Sequence, residues 1–115
     1  MVEIKQLPAA FYCTAVGREP VREWLKALCR DDRLVVGQDI ATAEFGWPIG
    51  MPVCRSLGKG LWEIRSGISD GRIARVIFCV AGDQMVLLHG FIKKTQKVQK
   101  ADLDLALKRM KEVCK

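Results

Sequence analysis

The chain has 115 residues, of which 50% are hydrophobic and 28% charged, and its formal net charge is +6. This length is enough for one folded domain and too short for two ordinary ones, so we predict a single domain over residues 1–115. The composition excludes a disordered tail, and no apolar run approaches the roughly 20 residues of a membrane span, so no membrane partner is expected. The N-terminus lacks the pattern of a signal peptide, which favours a cytoplasmic protein.

The positive charge is concentrated in the second part of the chain. Residues 1–50 contain six Lys and Arg against seven Asp and Glu, a net charge of −1. Residues 51–115 contain thirteen against six, a net charge of +7. This asymmetry favours a surface for a polyanion, and nucleic acid is the commonest one inside cells. A merely soluble basic protein is the alternative.

The five cysteines do not form a metal-binding pattern. They are widely spaced, no CxxC pair occurs, and His89 is the only histidine, so no common zinc site can be assembled from them. Most of them lie in apolar stretches, which predicts buried, reduced thiols in a reducing compartment. We therefore expect neither a metal nor another cofactor.

The first part of the chain predicts a strand and two helices. The short apolar stretch Ala9–Val16 is bounded by proline and glycine, as strands often are. Pro20 suits the first turn of a helix, and the apolar residues that follow share one face. A second apolar stripe ends at Gly46, and Asp31 or Asp32 is expected to cap its helix.

The second part alternates between short apolar runs and glycine-rich turns, which predicts an antiparallel meander. The predicted strands are Val53–Leu57, Leu61–Ser66, Arg72–Val80 and Gln84–Lys93. Apolar residues from Leu103 to Val113 then recur at helical spacing. The predicted fold class is α+β: an N-terminal strand and two helices packed on the meander, with a C-terminal helix.

Pairing of the predicted strands places charged residues in one row. The first long hairpin sets Arg65 opposite Arg75, and a second hairpin centred on Gly82 sets His89 opposite Arg75. Adjacent arginines repel each other unless an anion lies between them, so the row predicts a phosphate site. A structural salt bridge from Glu63 is the alternative explanation for one arginine.

The end of the last strand carries a dense group of cations. Three lysines, Lys93, Lys94 and Lys97, occur within five residues, with Thr95 and Gln96 between them. Ammonium groups pair with phosphates, and Thr and Gln donate hydrogen bonds to phosphate oxygens, so the segment suits a nucleic-acid backbone. A buried strand that continues into a solvated loop is the alternative.

Three segments together resemble a known superfamily. Leu61–Arg65, Arg72–Arg75 and Leu87–Lys97 are similar to the RelE/ParE superfamily. The chain resembles most closely its phage-derived, HigB-like branch, the toxins of type II toxin–antitoxin modules. The similarity extends over residues 9–113 and includes the order of strands and helices.

The resemblance implies a small basic endoribonuclease that cleaves mRNA on the translating ribosome without a metal ion. It also implies a cognate antitoxin, usually a helix-turn-helix DNA-binding protein. The residues that it places on the RNA-facing surface are Arg65, Arg75, His89, Lys93, Lys94 and Lys97. Because the superfamily includes gyrase-directed members, a gyrase-directed toxin is one alternative, and a non-catalytic basic binding module is another.

Cleavage of RNA needs a base, an acid and positive charge at the phosphorane. Arg65 and Arg75 are expected to supply the charge, because guanidinium groups bind phosphate oxygens in pairs. His89 is the candidate acid or base, since imidazole titrates near neutral pH, unless it is a strand histidine held by a hydrogen bond. A lysine with a depressed pKa, Lys93 or Lys94, is the alternative base. The residues expected to contact RNA are Lys59, Arg72, Thr95, Gln96, Lys97 and Lys100.

The chain differs from many members of this superfamily in two places. The proline and acidic residue that often open the last helix are replaced by Val98-Gln-Lys-Ala101. A catalytic tyrosine near the C-terminus has no counterpart, since the only tyrosine is Tyr12. Any cleavage must therefore use another acid–base arrangement.

Overall fold

The computed structural model describes residues 4–50, 53–93 and 98–113. The strands are β1 (Ala9–Phe11), β2 (Cys54–Gly58), β3 (Leu61–Gly67), β4 (Ile73–Ala81) and β5 (Gln84–Lys93), and the helices are α1 (Pro20–Ala27), α2 (Arg30–Gly46) and α3 (Lys100–Val113). The architecture is α+β, as predicted, and is compatible with a RelE-like fold. Within the described ranges, no helix is both long and apolar enough to cross a membrane.

The sheet has five strands in the order β1-β5-β4-β3-β2 and is mixed. Strands β2 to β5 form the predicted antiparallel meander, whereas β1 pairs in parallel with β5. The predicted first strand, Ala9–Val16, stops at Phe11. The chain turns soon afterwards, where the amide of Gly17 donates to the carbonyl of Thr14 and Gly17 has a φ of +87°, which glycine adopts without a steric penalty.

Two helices cover one face of the sheet, and α3 covers the other. Val21 of α1 and Val36 of α2 are fully buried in one apolar cluster with the strand residue Phe78. Ala106 of α3 is fully buried in a second cluster, which includes Ile77 of β4. Because Ile77 and Phe78 are neighbours in one strand, their side chains point to opposite faces. The core therefore consists of two apolar layers, one on each side of the sheet.

The prediction that an aspartate caps α2 is wrong. The N-cap residue is Cys29, whose side chain makes no capping hydrogen bond, and Asp31 and Asp32 lie inside the first turn. Negative charge is favourable there because of the helix dipole. Asp32 is buried and reaches across to the β3–β4 connection, where its Oδ1 accepts a hydrogen bond of 3.1 Å from the backbone N–H of Ser69. The side chain thus ties the start of α2 to the sheet.

The register of the β3–β4 hairpin is as predicted. Arg65 lies directly opposite Arg75, and Ile64 lies opposite Val76. A short 3-10 turn, Ser69–Gly71, closes this hairpin. The arginine pair and the core pair consequently lie on opposite faces of the sheet.

The register of the β4–β5 hairpin differs from the prediction at two points. The connection is a two-residue turn with Gly82 at its first position, and Leu88 is an extra residue in β5 opposite the step from Ile77 to Phe78. Each difference shifts β5 by one residue relative to β4. His89 therefore lies opposite Ile77 and not opposite Arg75, as was predicted, but a total shift of two residues keeps it on the predicted face.

Candidate active site

A group of charged side chains lies on the sheet face that α3 covers, which we call the α3 face. Arg65 and Arg75 are neighbours there, but their exposure differs. The side chain of Arg65 is 21% exposed, whereas Arg75 is fully buried. The prediction that Arg75 lines an exposed RNA-facing surface is therefore wrong, because its guanidinium lies inside the protein.

The charge between these strands is balanced by a carboxylate of the protein itself. Glu63 is fully buried, and its Oε1 lies 3.0 Å from Nη2 of Arg55 and 3.9 Å from Nε of Arg65. Arg55 lies directly opposite Glu63 in β2. The sequence analysis left open that Glu63 forms a structural salt bridge with one arginine of the row. The contact of Glu63 with Arg65 agrees with that alternative. Arg55 was missed from the sequence, although extending the strand pairing to β2 places it on this face.

Burial of Arg75 has an electrostatic consequence. Loss of hydration lowers the pKa of Arg75 below its ordinary value, the charge of Glu63 opposes this shift, and the positive charges of Arg65 and Arg55 add to it. An arginine side chain nevertheless stays protonated at physiological pH. Asp102 adds a second negative charge near Arg75. Three guanidinium groups thus lie near two carboxylates, Glu63 and Asp102, which leaves the cluster with an excess of positive charge that suits an anion.

His89 belongs to the same face. Phe91 occupies the position opposite Arg75, so His89 is a diagonal neighbour of Arg75, at a Cα separation of roughly 7–8 Å for such pairs. Nε2 of His89 lies 2.8 Å from Oδ1 of Asp102 in the first turn of α3. This contact is the hydrogen bond expected if His89 is a structural strand histidine. It also holds the imidazole ring in one orientation, as a general base requires. Asp102 was missed, because no sequence pattern indicates how α3 docks on the sheet.

Arg72, predicted to contact RNA, is engaged in holding the fold together. Its Nη2 lies 2.9 Å from Oδ2 of Asp32, and its Nε donates to the carbonyl of Ser69 at 3.1 Å. The hydrogen bond from the backbone N–H of Ser69 lowers the pKa of Asp32 the most. Hydrogen bonds from Cys29 and from the Ser69 hydroxyl lower this pKa further, and so does the positive charge of Arg72. Arg72 therefore joins the β3–β4 turn to α2.

Lys59 and Lys100 lie beside one surface cavity of about 220 Å³. Both lysines are exposed, and the cavity wall is largely leucine, from β2, β3 and α3. The structure thus brings together two residues that are 41 positions apart in the sequence. Their contact with RNA stays a prediction.

The remaining predicted site residues lie at the end of β5. The backbone of Lys93 pairs with Ile73, so Lys93 ends the strand as predicted. Lys94, Thr95, Gln96 and Lys97, the cationic segment, lie outside the described residues.

Tyr12 lies at the opposite end of α3 from Asp102. Its hydroxyl donates a hydrogen bond to Glu112, which raises the pKa of Tyr12, and the guanidinium of Arg109 lies 5.3 Å from the centre of its ring. Nη1 of Arg109 also donates to the carbonyl of Leu88 at 2.8 Å. These contacts fasten α3 to the residue that follows β1 and to β5, which is a structural role.

The cysteine predictions hold for two of the four described thiols. Cys54 and Cys79 are buried, and burial raises the pKa of Cys54 to about 11. Cys13 and Cys29 are exposed, contrary to the prediction, because both lie in connections next to the ends of β1 and α2. In the described part of the chain, no three His, Cys, Asp or Glu side chains lie close enough to hold a metal ion.

Most of the chain matches the model of a protein family. Residues 23–111 match the family described as "Phage derived protein Gp49-like (DUF891)". This range includes α2, β2 to β5 and nearly all of α3, and therefore the whole charge cluster. A search of the curated proteins found no match.

Proposed function

The chain belongs to the phage-derived Gp49-like family, a family known as RelE-like or toxin-like, and from this membership we propose that it is the toxin of a type II toxin–antitoxin module. The proposed activity is cleavage of mRNA on the translating ribosome, which stops protein synthesis. Within the RelE/ParE superfamily, we propose the HigB-like branch. The proposed site of action is the cytoplasm.

The observation that carries this proposal is the arrangement of guanidinium groups beside an oriented histidine. Arg65 is partly exposed, and Arg75 lies behind it in the interior. His89 lies diagonally across from this pair, with its ring held by Asp102. A phosphate bound at Arg65 would therefore lie on the same face of the sheet as a group that can accept or donate a proton, which a purely binding surface does not need.

The proposed mechanism divides three tasks among these residues. Arg65 binds the non-bridging oxygens of the phosphate and stabilises the charge of the phosphorane. The charge of Arg75 also stabilises the phosphorane from the interior of the protein, because the low polarity there screens the charge less than water does. His89 removes the proton of the attacking 2′-OH. Lys93 or Lys94 is the alternative base, and water protonates the leaving 5′-oxygen.

Contact with the rest of the RNA is assigned to cations outside this centre. Lys59 and Lys100, together with Lys97, are proposed to contact mRNA or ribosomal RNA through their charge. Such contacts release counterions from the RNA, so binding should weaken steeply as salt is added. The excess of thirteen cationic over six anionic residues in positions 51–115 supports this assignment.

The proposed partner protein is a cognate antitoxin of the helix-turn-helix class. Toxins of this kind are harmless only while they are bound, so the antitoxin has to block the charged α3 face or its access to the ribosome. A helix-turn-helix domain would also bring the complex to DNA.

A pulse of expression in growing cells tests the class of function. We expect incorporation of labelled amino acids to stop within minutes, before any DNA-damage response appears. Induction of the DNA-damage response with continued protein synthesis would instead indicate a gyrase-directed toxin. If neither changes, the protein is a non-catalytic binding module, and the charge cluster has only a structural role.

A further inference from the structure

Asp102 lies in hydrogen-bonding contact with the only histidine of the chain. Nε2 of His89 and Oδ1 of Asp102 are 2.8 Å apart, within the range of a hydrogen bond to a charged group. The side chains are only 16% and 13% exposed, so water competes weakly for this contact. The two residues come from different elements, β5 and α3, so the contact forms only when α3 is docked.

A second contact fixes the plane of the imidazole ring. The ring of Phe91 stacks on that of His89, with centroids 5.1 Å apart and an angle of 23° between the planes. Phe91 is itself buried, at 8% exposure. Stacking defines the plane in which the ring lies, and the carboxylate defines its rotation within that plane. The imidazole is therefore oriented by two independent contacts.

We propose that Asp102 is a positioning residue that selects the tautomer of His89 and thereby makes Nδ1 the general base. This inference rests on the proposed ribonuclease function. A carboxylate accepts hydrogen bonds and donates none, so a neutral imidazole beside it carries its proton on Nε2. The lone pair of Nδ1 is then the one that accepts a proton.

The reaction that follows from this assignment is an internal transfer at phosphorus. Nδ1 of His89 takes the proton of the 2′-OH, and the electron pair of the 2′-oxygen forms a bond to phosphorus. The bond between phosphorus and the 5′-oxygen breaks, and the 5′-oxygen takes one proton from water. The products are a 2′,3′-cyclic phosphate and a 5′-hydroxyl, and the imidazolium returns its proton to the solvent. Asp102 stays ionised throughout and touches no reacting atom.

The tautomer can be measured directly because the chain contains a single histidine. In protein prepared without a histidine tag, the imidazole ¹⁵N signals above neutral pH should show a protonated Nε2 and an unprotonated Nδ1. Asp102→Asn should give a mixture of tautomers, since an amide can both donate and accept. Asp104→Asn, the same change at an exposed residue two positions further along α3, should leave the signals unchanged. Identical tautomers in wild type and Asp102→Asn would overturn the inference.

Cleavage rates provide the second readout. Asp102→Asn should cleave mRNA at least tenfold more slowly than wild type at a temperature where circular dichroism shows both proteins folded, and Asp102→Glu should restore part of the rate. Equal rates in wild type and Asp102→Asn would contradict the positioning role. If wild type cleaves no RNA at all, the proposed function fails, whereas the NMR comparison still decides whether Asp102 selects the tautomer.

Discussion

At the scale of single residues, burial distinguishes two arginines that look equivalent in the sequence. Arg65 and Arg75 are directly opposite each other, yet one side chain reaches the solvent and the other does not. A buried guanidinium needs a nearby carboxylate, and Glu63 supplies it. The strand pairing was predictable from periodicity and turn chemistry, but the depth of each side chain was not, because it depends on how α3 covers the face.

This difference predicts distinct phenotypes for the two arginines. Arg65→Ala should lower the rate of mRNA cleavage by roughly 100-fold, the effect of losing one donor to a developing negative charge, without changing the urea midpoint. Arg75→Met should instead destabilise the fold, by roughly 3–5 kcal/mol, because it removes a fully buried positive charge that acts on the buried carboxylate of Glu63.

Both variants are compared with Arg22→Ala, which changes an exposed arginine on α1, on the other side of the sheet. Wild-type cleavage by Arg65→Ala would remove this residue from the site. Wild-type stability of Arg75→Met would show that Glu63 does not depend on the buried arginine.

At the scale of the elements, the sequence predicted both ends of each strand of the meander to within one residue, but not the irregularity in the last hairpin. The extra residue Leu88 has no distinctive neighbours, and a bulge is fixed by the pairing of both strands together. For the same reason, the parallel pairing of β1 with β5 was not predicted, since it depends on contacts between distant segments. The prediction nevertheless placed His89 on the correct face of the sheet, but it placed the residue opposite Arg75 and not opposite Ile77.

The close approach of β5 to α1 provides a test of how these two elements pack. Gly90 in β5 lies against the indole of Trp24 in α1, and an added Cβ would overlap the ring. Gly90→Ala should therefore lower the free energy of unfolding by about 1–3 kcal/mol, as for overpacked cores. Gly37→Ala is the matched control, because Gly37 is exposed in α2 with no atom near the added Cβ.

The control should raise the free energy of unfolding by up to about 1 kcal/mol, the difference between alanine and glycine inside a helix. Urea denaturation of both variants measures these changes. A stability of Gly90→Ala equal to that of Gly37→Ala would mean that α1 does not pack on β5 as described.

The link between α2 and the β3–β4 turn should depend on pH. The pKa of Asp32 is lowered in the folded protein, so its stabilising effect is fully present above roughly pH 4, where an unfolded aspartate ionises, and is lost as the pH falls through the folded pKa. The urea midpoint of Asp32→Asn should therefore be lower than that of wild type at neutral pH. The difference should shrink under acidic conditions.

Asp31→Asn is the control for this link, because Asp31 is exposed in the same helical turn. It should change the midpoint little at any pH. A constant difference between wild type and Asp32→Asn from neutral to acidic pH would contradict the assigned role of the carboxylate.

At the scale of the whole molecule, composition and patterning predicted the α+β class, which the structure confirms. The candidate site is a composite that no single segment encodes. Its charges come from β2, β3 and β4, and its oriented histidine depends on α3. Docking of the C-terminal helix therefore links the stability of the fold to the competence of the site.

The most direct test of the central claim is primer extension on a reporter mRNA after pulsed expression, with and without a block of translation. We predict cuts within the translated region that disappear when translation is blocked and are strongly reduced in Arg65→Ala. Cuts that persist without translation would contradict dependence on the ribosome. An intact message in cells that express stable wild-type protein would contradict the proposed nuclease.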